Sequence, residues 1–419
     1  MPEAVVVAAT RSPIGRAFKG SLQDMRPDDM TVQIVRAALA KVPELDPTTV
    51  DDLLLGCGTP GGEQGFNMAR VVAVALGLDT VPGTTVTRYC SSSVQTTRMA
   101  MHAIRAGEGH VFISAGVEAV SRAGRGTSDN PPVDPSADPR DRARNPWLNP
   151  IFASAGQRSA VRSAGGADRW HDPREAGELP DIYVAMGQTA ENVAGLRSVS
   201  RAEQDEFACR SQNRAEAAAA EGFWSREITP LIRPDGSVVE VDDCPRPGTT
   251  VQALAGLKPV FRPDGTVTAG NACPLNDGAA ALVIMSDVRA AELGLTPLAR
   301  VVATGVSALS PEIMGLGPVE ATRKALALAG LTIGDIDLVE INEAFAAQVI
   351  PSYQELGIDL DRLNVNGGSI AVGHPFGMTG ARITTTLLNG LRTHDKTLGL
   401  ETMCVGGGQG MAVIFERLS

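Results

Sequence analysis

One order of strand and helix signals occurs twice, once at each end of the chain, and this repeat limits the available folds more than any other feature. In the first copy, Val5–Ala8 is a short apolar strand, and Asp28–Lys41 sets Met30, Ile34 and Ala38 on one helical face. Leu53–Leu55 then reads as a strand closing into Gly56. A helix around Asn67–Leu76, a strand at Thr84–Thr87, a helix from about Ser93 to Arg105 and a strand at Val111–Ser114 follow. The second copy runs through a helix at Glu320–Ala329 and a strand at Asp337–Ile341 whose acidic start echoes Asp51. A strand at Leu363–Val365, a helix at Thr379–Leu391 and a strand at Thr402–Val405 complete it. Alternation of this kind predicts α/β sheets covered on both faces, and its recurrence predicts an internal duplication of one βαβ-rich unit.

The middle of the chain breaks the pattern. From Ser121 to about Pro180 it is rich in Pro, Gly, Asp and Arg. A structureless excursion of that length is unusual in a compact domain, so the segment is expected to carry small helices. A solvated surface excursion is the plainer alternative. A helix at about Arg201–Glu221 and Pro/Gly-punctuated turns to Asp264 come next. The expected organisation is an N-terminal half over 1–120, an inserted loop domain over 121–275, return elements of the first half over 276–297, and a C-terminal half over 298–419.

Composition narrows the function. With 419 residues, 43% of them hydrophobic, the chain can bury a large core and suits two or three packed units. A net charge of -11 with only 3 Trp, 3 Tyr and 10 Phe offers neither a basic footprint nor a stacking platform for nucleic acid. The longest apolar runs, such as Val71–Leu78, fall well short of the roughly 20 residues that span a bilayer. The opening residues, with acidic Glu3, read as a first strand rather than a signal peptide. Six cysteines without paired spacing suit free thiols in a reducing cytoplasm, and no CxxC or HxxxH pattern supports a metal site.

Four segments carry chemistry. TTVTRYCSSSVQ, residues 84–95, is a strand running into a helix with Cys90 at the turn. Ser92 and Gln95 stand at capping-box spacing, and a helix N-terminus beside the thiol would favour thiolate. Taken alone, Cys90 is as readily a buried structural cysteine. In NVNGGSIAVGHPFGMTGAR, residues 364–382, His374 sits in a Gly-rich turn that matches neither the P-loop nor the dinucleotide fingerprint; alone it could cap a helix or fill a core. CVGGGQG, residues 404–410, ends a strand with a second thiol, Cys404, beside backbone N–H groups suited to an oxyanion hole, or with a small buried residue at a tight turn. EINEAFA, residues 340–346, ends another strand with polar groups. All four lie at equivalent strand ends of the two repeats, where open α/β sheets collect ligands.

These segments together resemble the thiolase family. The surroundings of Cys90, NEAFA at 342–346, GHPFGMTGAR at 373–382 and CVGGGQG at 404–410 are its signatures. MGQTAENVA at 186–194 and GTVTAGNACPLNDGAAA at 265–281 match its loop and hinge segments. The resemblance covers essentially the whole chain. It implies the α/β thiolase fold: duplicated βαβ-rich halves in five αβαβα layers, with an inserted loop domain that covers coenzyme A. It also implies a homodimer or homotetramer working beside other β-oxidation enzymes, with no permanently bound cofactor and with acyl-CoA, acetyl-CoA and CoA as its ligands. The Arg-rich stretch after Ser121 could then serve assembly or meet the CoA phosphates.

By the same resemblance, Cys90 attacks a 3-oxoacyl-CoA with His374 as its base, and Cys404 handles the α-proton of acetyl-CoA. One oxyanion site would use His374 with a water held by Asn342, the other the backbone N–H groups of Cys90 and Gly406. Contacts to CoA or the acyl chain fall to Met186, Ala269, Cys273 and Phe345. Three departures stand out. Ser93 occupies a position where many members have glycine, and Cys273 stands where a serine usually binds pantetheine. Ala185-Met186-Gly187 lacks the histidine of short-chain biosynthetic members, which favours a degradative 3-ketoacyl-CoA thiolase over a short-chain acetyl-CoA acetyltransferase. A ketosynthase-like enzyme lacks a second thiol such as Cys404. A non-catalytic acyl-CoA or lipid-binding relative would have lost active residues that are all present here.

Overall fold

A computed structural model of the chain describes residues 1–125, 148–166 and 169–419. The first half contains β1 (Ala4–Arg11), β2 (Gly15–Arg16), α1 (Pro27–Ala40), β3 (Asp52–Cys57), α2 (Met68–Ala75), β4 (Gly83–Val86), α3 (Ser92–Ala106) and β5 (Val111–Ala119). The middle contributes α4 (Ala153–Ser163), α5 (Met186–Arg197), α6 (Arg201–Ala220), the small hairpin β6 (Leu231–Ile232) and β7 (Val238–Val239), and α7 (Val251–Ala255). The chain then returns through β8 (Asn276–Ser286) and α8 (Asp287–Glu292). The second half comprises β9 (Ala299–Ala308), α9 (Gly317–Ala329), β10 (Leu338–Ile341), α10 (Ala346–Leu356), α11 (Ser369–Val372), α12 (Thr379–Thr393), β11 (Leu398–Val405) and β12 (Gln409–Arg417).

Sheet topology displays the duplication directly. The ten-stranded sheet has the order β10-β11-β12-β9-β1-β8-β5-β3-β4, with β2 added on β8. Reading outward from the seam, β1 pairs β8 and β8 pairs β5 antiparallel, whereas β5–β3 and β3–β4 are parallel. On the other side β9–β12 and β12–β11 are antiparallel and β11–β10 is parallel. Leu363, expected to open a strand, makes only a single parallel bridge to Val339, at the place β4 holds beside β3. The strand stops there because Asn364 turns to φ 45° and its side-chain amide bonds back to Ile341 N and O, at 2.9 Å each. The seam itself is narrow: only Val5–Arg300 and Val6–Ala299 pair across β1 and β9.

Three large apolar clusters fill the spaces between five layers, the second packing both halves of the sheet onto the central helices. Alternate residues of β8 face opposite ways: Ala279, Ala281, Val283 and Met285 join α1 and α2 in the first core, and Ala280, Leu282 and Ile284 join α3 and α12 in the second. β12 repeats this, with Met411, Val413 and Phe415 facing the central helices and Ala412 and Ile414 facing α9 and α10. A strand buried on both faces reads as a continuous apolar run, as β8 does. Helices α3 and α12 therefore form the middle layer, and the turns that feed them are carried into the molecule's centre. They approach closely at Gly380, where a Cβ would sit 2.5 Å from the Val94 backbone nitrogen. Ser93 Oγ accepts the Ala381 N–H at 2.9 Å, so the serine that departs from the family pattern satisfies an otherwise orphaned donor in the first turn of α12.

In the middle region the expected small helices are present among the described residues, as α4 and the 3-10 turns Pro150–Phe152 and Pro173–Ala176. Much of the Arg-rich stretch, residues 126–147 and 167–168, lies outside the described residues. α6 begins at a capping box: Ser200 Oγ accepts from Glu203 N, and the Glu203 carboxylate accepts from Ser200 N. No helix among the described residues is long and apolar enough to cross a membrane.

Candidate active site

Cys90 lies in a 3-10 turn, Tyr89–Ser91, between β4 and α3. Tyr89 holds φ +43°, a left-handed conformation that a bulky L-residue adopts only under constraint. The expected Ser92–Gln95 capping box is absent. Ser91 is the N-cap, and Ser92 Oγ points backward, accepting from Arg88 N at 2.9 Å and donating to Tyr89 O at 2.7 Å. Gln95 Oε1 instead accepts from Arg88 Nε at 3.1 Å. The hydroxyl thus holds the cysteine turn shut rather than capping the helix behind it.

The turn lies against β11 and α12. The Gly406 N–H, just past the end of β11, is aimed at the Cys90 thiol. A side chain at Gly406 would approach the Tyr89 ring to 3.2 Å, so backbone and cysteine turn are in near contact there. Cys404, fully buried near the end of β11, lies close enough to Cys90 and Cys273 that ionisation of either would oppose its own. Cys273 is half-buried, and its N–H donates to Ala344 O at 3.1 Å. One apolar cluster joins Cys404, Phe345, Ala344 and Met314 with Met186, Phe261 and Cys273 at its margin, and Phe261 meets Phe345 edge-on at 6.0 Å. Met186, Cys273 and Phe345 thus share one cluster with Cys404. Ala269 is outside that cluster and exposed, and its carbonyl accepts from Arg246 Nη1 at 3.3 Å.

His374 is buried between α11 and α12, and its ring is oriented at both nitrogens. Thr379 Oγ1 donates to Pro375 O at 2.7 Å, so its oxygen accepts the His374 Nδ1 proton at 2.6 Å. That leaves Nε2 with a free lone pair, toward which Asn342 Nδ2 donates at 3.3 Å. The His374 N–H donates to Asn276 Oδ1 at 2.8 Å. Gly373 makes this possible: its φ of +112° is open to glycine, and a Cβ there would lie 2.8 Å from that same Asn276 oxygen. Glu343, beside Asn342, holds the neighbouring loop, accepting from Ser211 Oγ at 2.6 Å, Asn364 Nδ2 at 2.7 Å and Ile370 N at 3.0 Å. Glu118, at the end of β5, accepts from Gly58 N and Gly377 N at 2.8 Å each, and so clamps the GHPFG turn to the first half.

Sequence reasoning missed Asn276, Thr379, Glu118 and Ser369. Thr379, Ser369 and Asn276 stood inside recognised motifs that did not single them out from their neighbours, and nothing in the linear pattern distinguishes Glu118 from an ordinary polar residue at the end of a strand.

The protonation states differ from the expected thiolate. Burial pushes the Cys90 thiol up to about 12, with the nearby Glu118 carboxylate adding to the rise, although the Gly406 N–H opposes it. Burial, and then the Arg382 charge, push His374 down to about 3. Desolvation of the charged form outweighs the helix terminus that the sequence pointed to. Both shifts leave thiol and neutral imidazole in the free enzyme. Alkylation of Cys90 by iodoacetamide is accordingly expected to rise about tenfold per pH unit between about pH 6 and about pH 9, because thiolate forms only as pH approaches the raised pKa. A flat rate across that range would reveal a preformed thiolate–imidazolium pair instead.

Comparison with known proteins agrees with this arrangement. Residues 4–288 match the family described as "Thiolase, N-terminal domain" and residues 295–417 match "Thiolase, C-terminal domain". The chain is 42% identical to a 3-ketoacyl-CoA thiolase of Aeromonas hydrophila over 100% of both proteins. It is also 42% identical to a 3-oxoadipyl-CoA/3-oxo-5,6-dehydrosuberyl-CoA thiolase of Escherichia coli over 100% of both. Among solved structures, a Bacillus anthracis acetyl-CoA acetyltransferase aligns with a TM-score of 0.83 at 38% identity, covering 100% of this chain and 99% of the other. Human mitochondrial 3-ketoacyl-CoA thiolase in complex with CoA aligns with a TM-score of 0.82 at 35% identity, covering 99% and 98%.

Proposed function

Because the chain belongs to the thiolase family, we propose that Cys90, His374, Asn342 and Cys404 carry out the thiolytic cleavage of 3-oxoacyl-CoA by CoA in β-oxidation. The observations that carry this reading are the proximity of the Cys404 and Cys90 thiols and, on the α11–α12 turn, a His374 ring held with Nε2 unprotonated.

The Asn342 Nδ2–H bond to His374 Nε2 gives way as Nε2 takes the Cys90 proton and the sulfur bonds to the 3-oxo carbon. The C2–C3 bond then breaks, and the acetyl-CoA enolate takes the proton of Cys404, leaving an acyl-Cys90 thioester. In the second half, an incoming CoA thiol gives its proton to the Cys404 thiolate and attacks the thioester. Cys90 leaves and recovers its proton from His374, so atoms and charges balance over the cycle. The N–H groups of Cys90 and Gly406 face one developing oxyanion; protonated His374, with a water on Asn342, faces the other. The reverse direction is a Claisen condensation of acetyl-CoA.

Met186 and the Phe261–Phe345 pair share an apolar cluster with Cys404, and we assign the acyl chain to that side. We place the inserted loop domain over 121–275 and the contact with CoA on its inner side, where Cys273 offers a weaker donor than a hydroxyl. Six free cysteines suit a reducing cytoplasm. The 96% exposed Phe66, beside the outermost strand β4, suits a homodimer or homotetramer.

The test is CoA-dependent thiolysis of straight-chain 3-oxoacyl-CoA esters, from acetoacetyl-CoA to 3-oxopalmitoyl-CoA, and of 3-oxoadipyl-CoA. Activity peaking above acetoacetyl-CoA supports the degradative reading. Activity confined to acetoacetyl-CoA would make the enzyme a short-chain acetyltransferase, and a preference for 3-oxoadipyl-CoA would move its substrate to dicarboxylyl esters.

A further inference from the structure

Five hydrogen bonds run through the site in a single direction. Arg382 Nη2 donates to Ser369 Oγ at 2.6 Å, and Ser369 Oγ donates to Asn342 Oδ1 at 2.6 Å. Asn342 Nδ2 donates to His374 Nε2 at 3.3 Å, Nδ1 of the same ring to Thr379 Oγ1 at 2.6 Å, and that hydroxyl to Pro375 O at 2.7 Å. Chemistry sets the direction at both ends. A guanidinium has no acceptor, so the single Ser369 proton is free for Asn342; a backbone carbonyl has no donor, so the Thr379 proton points away from the ring. A flipped Asn342 amide would leave the Ser369 proton without an acceptor and set oxygen against the bare Nε2 lone pair.

We propose that Ser369 and Arg382 are positioning residues for the reaction: they hold the Asn342 amide with its NH2 toward His374, which keeps Nε2 the proton-accepting nitrogen. The inference rests on Asn342 and His374 being the catalytic groups proposed above. Ser369 begins α11, is 1% exposed and has no solvent route to an alternative partner. Arg382 is equally buried, on the inner face of α12. A charged donor in a dry interior polarises the Ser369 O–H and shortens its bond to Asn342. The same charge contributes, after burial, to keeping His374 neutral. Arg382 also stands close to the buried carboxyl groups of Glu340 and Glu401, so deleting it would shift their ionisation and obscure any catalytic effect. Ser369 is the clean place to cut the chain.

The experiment compares wild type with Ser369→Ala, Asn342→Ala and the double variant, reading kcat and KM for CoA in thiolysis. Ser369→Ala is expected to lower kcat by about 10–100-fold with KM for CoA within about twofold. Asn342→Ala should lose about 10²–10³-fold, and the double variant should be no slower than Asn342→Ala alone, because both cut one pathway. A wild-type kcat in Ser369→Ala, or its full loss repeated on top of Asn342→Ala, would overturn the inference. Wild-type turnover in Asn342→Ala would instead overturn the catalytic role beneath it. Should the alanine variant fold poorly, Ser369→Cys keeps the volume with a weaker donor, and a smaller loss in kcat at unchanged KM is expected; full wild-type kcat there also overturns it.

Discussion

Replacing Cys90 by alanine is expected to reduce thiolysis of 3-oxoacyl-CoA by on the order of 10⁴-fold or more, the scale on which hydrolases lose turnover with their nucleophile. The effect should be chemical rather than structural. Cys90 is buried in a turn held by Ser92 and Arg88, neither of which bonds to its sulfur, so alanine leaves that scaffold intact. What disappears is the atom that carries the acyl group between the two half-reactions. Wild-type enzyme quenched during turnover should therefore show an added acyl mass on the peptide containing Cys90, and the variant none. Covalently trapped acyl group on Cys90→Ala would assign the nucleophile elsewhere, with Cys404 the first residue to examine.

Cys404→Ala should separate the two kinds of chemistry. Carbon–carbon cleavage and condensation both need a proton moved at C2 of acetyl-CoA, and loss of a positioned acid–base group typically costs about 10²–10⁴-fold. Transfer of an acyl group between CoA and Cys90 moves no proton at carbon, and from a simple acyl-CoA His374 alone can pass the thiol proton from Cys90 to the departing CoA, so exchange of labelled CoA should continue, slowed rather than abolished. Because Cys404 is fully buried and its thiol is pushed up by burial and by the two neighbouring cysteines, it rests as a protonated acid, ready to quench an enolate. Wild-type cleavage in the variant would refute that role. Equal loss of cleavage and exchange would mean that Cys404 serves the cysteine turn rather than the proton.

The linear order of residues was enough for the class of fold and for nominating the groups proposed to react. Apolar periodicity locates strands and helices because a pleated strand and a helix each need their own spacing to bury one face, and that need is local. The duplication followed from the same logic, and the four polar segments at equivalent strand ends stood out against apolar surroundings. Local patterns failed where a side chain had a distant alternative. Ser92 and Gln95 carry the spacing of a cap, yet both bond to Arg88. Leu363–Val365 carries the composition of a strand, yet Asn364 bends it away after one bridge.

Electrostatics lay further out of reach. A helix start beside Cys90 argues for thiolate, whereas burial inside a five-layer molecule, with Glu118 nearby, argues for thiol and prevails. Neither the depth of a residue nor the charge opposite it is a property of its sequence neighbours. The sequence by itself determined which elements form, how often they repeat and which thiols, imidazole and amide are available. Only the tertiary structure decided which of them meet, in what protonation state, and that a serine and an arginine thirteen residues apart aim the amide at the imidazole. Those outcomes depend on packing two separately encoded halves against one shared pair of helices, and no local preference contains that information.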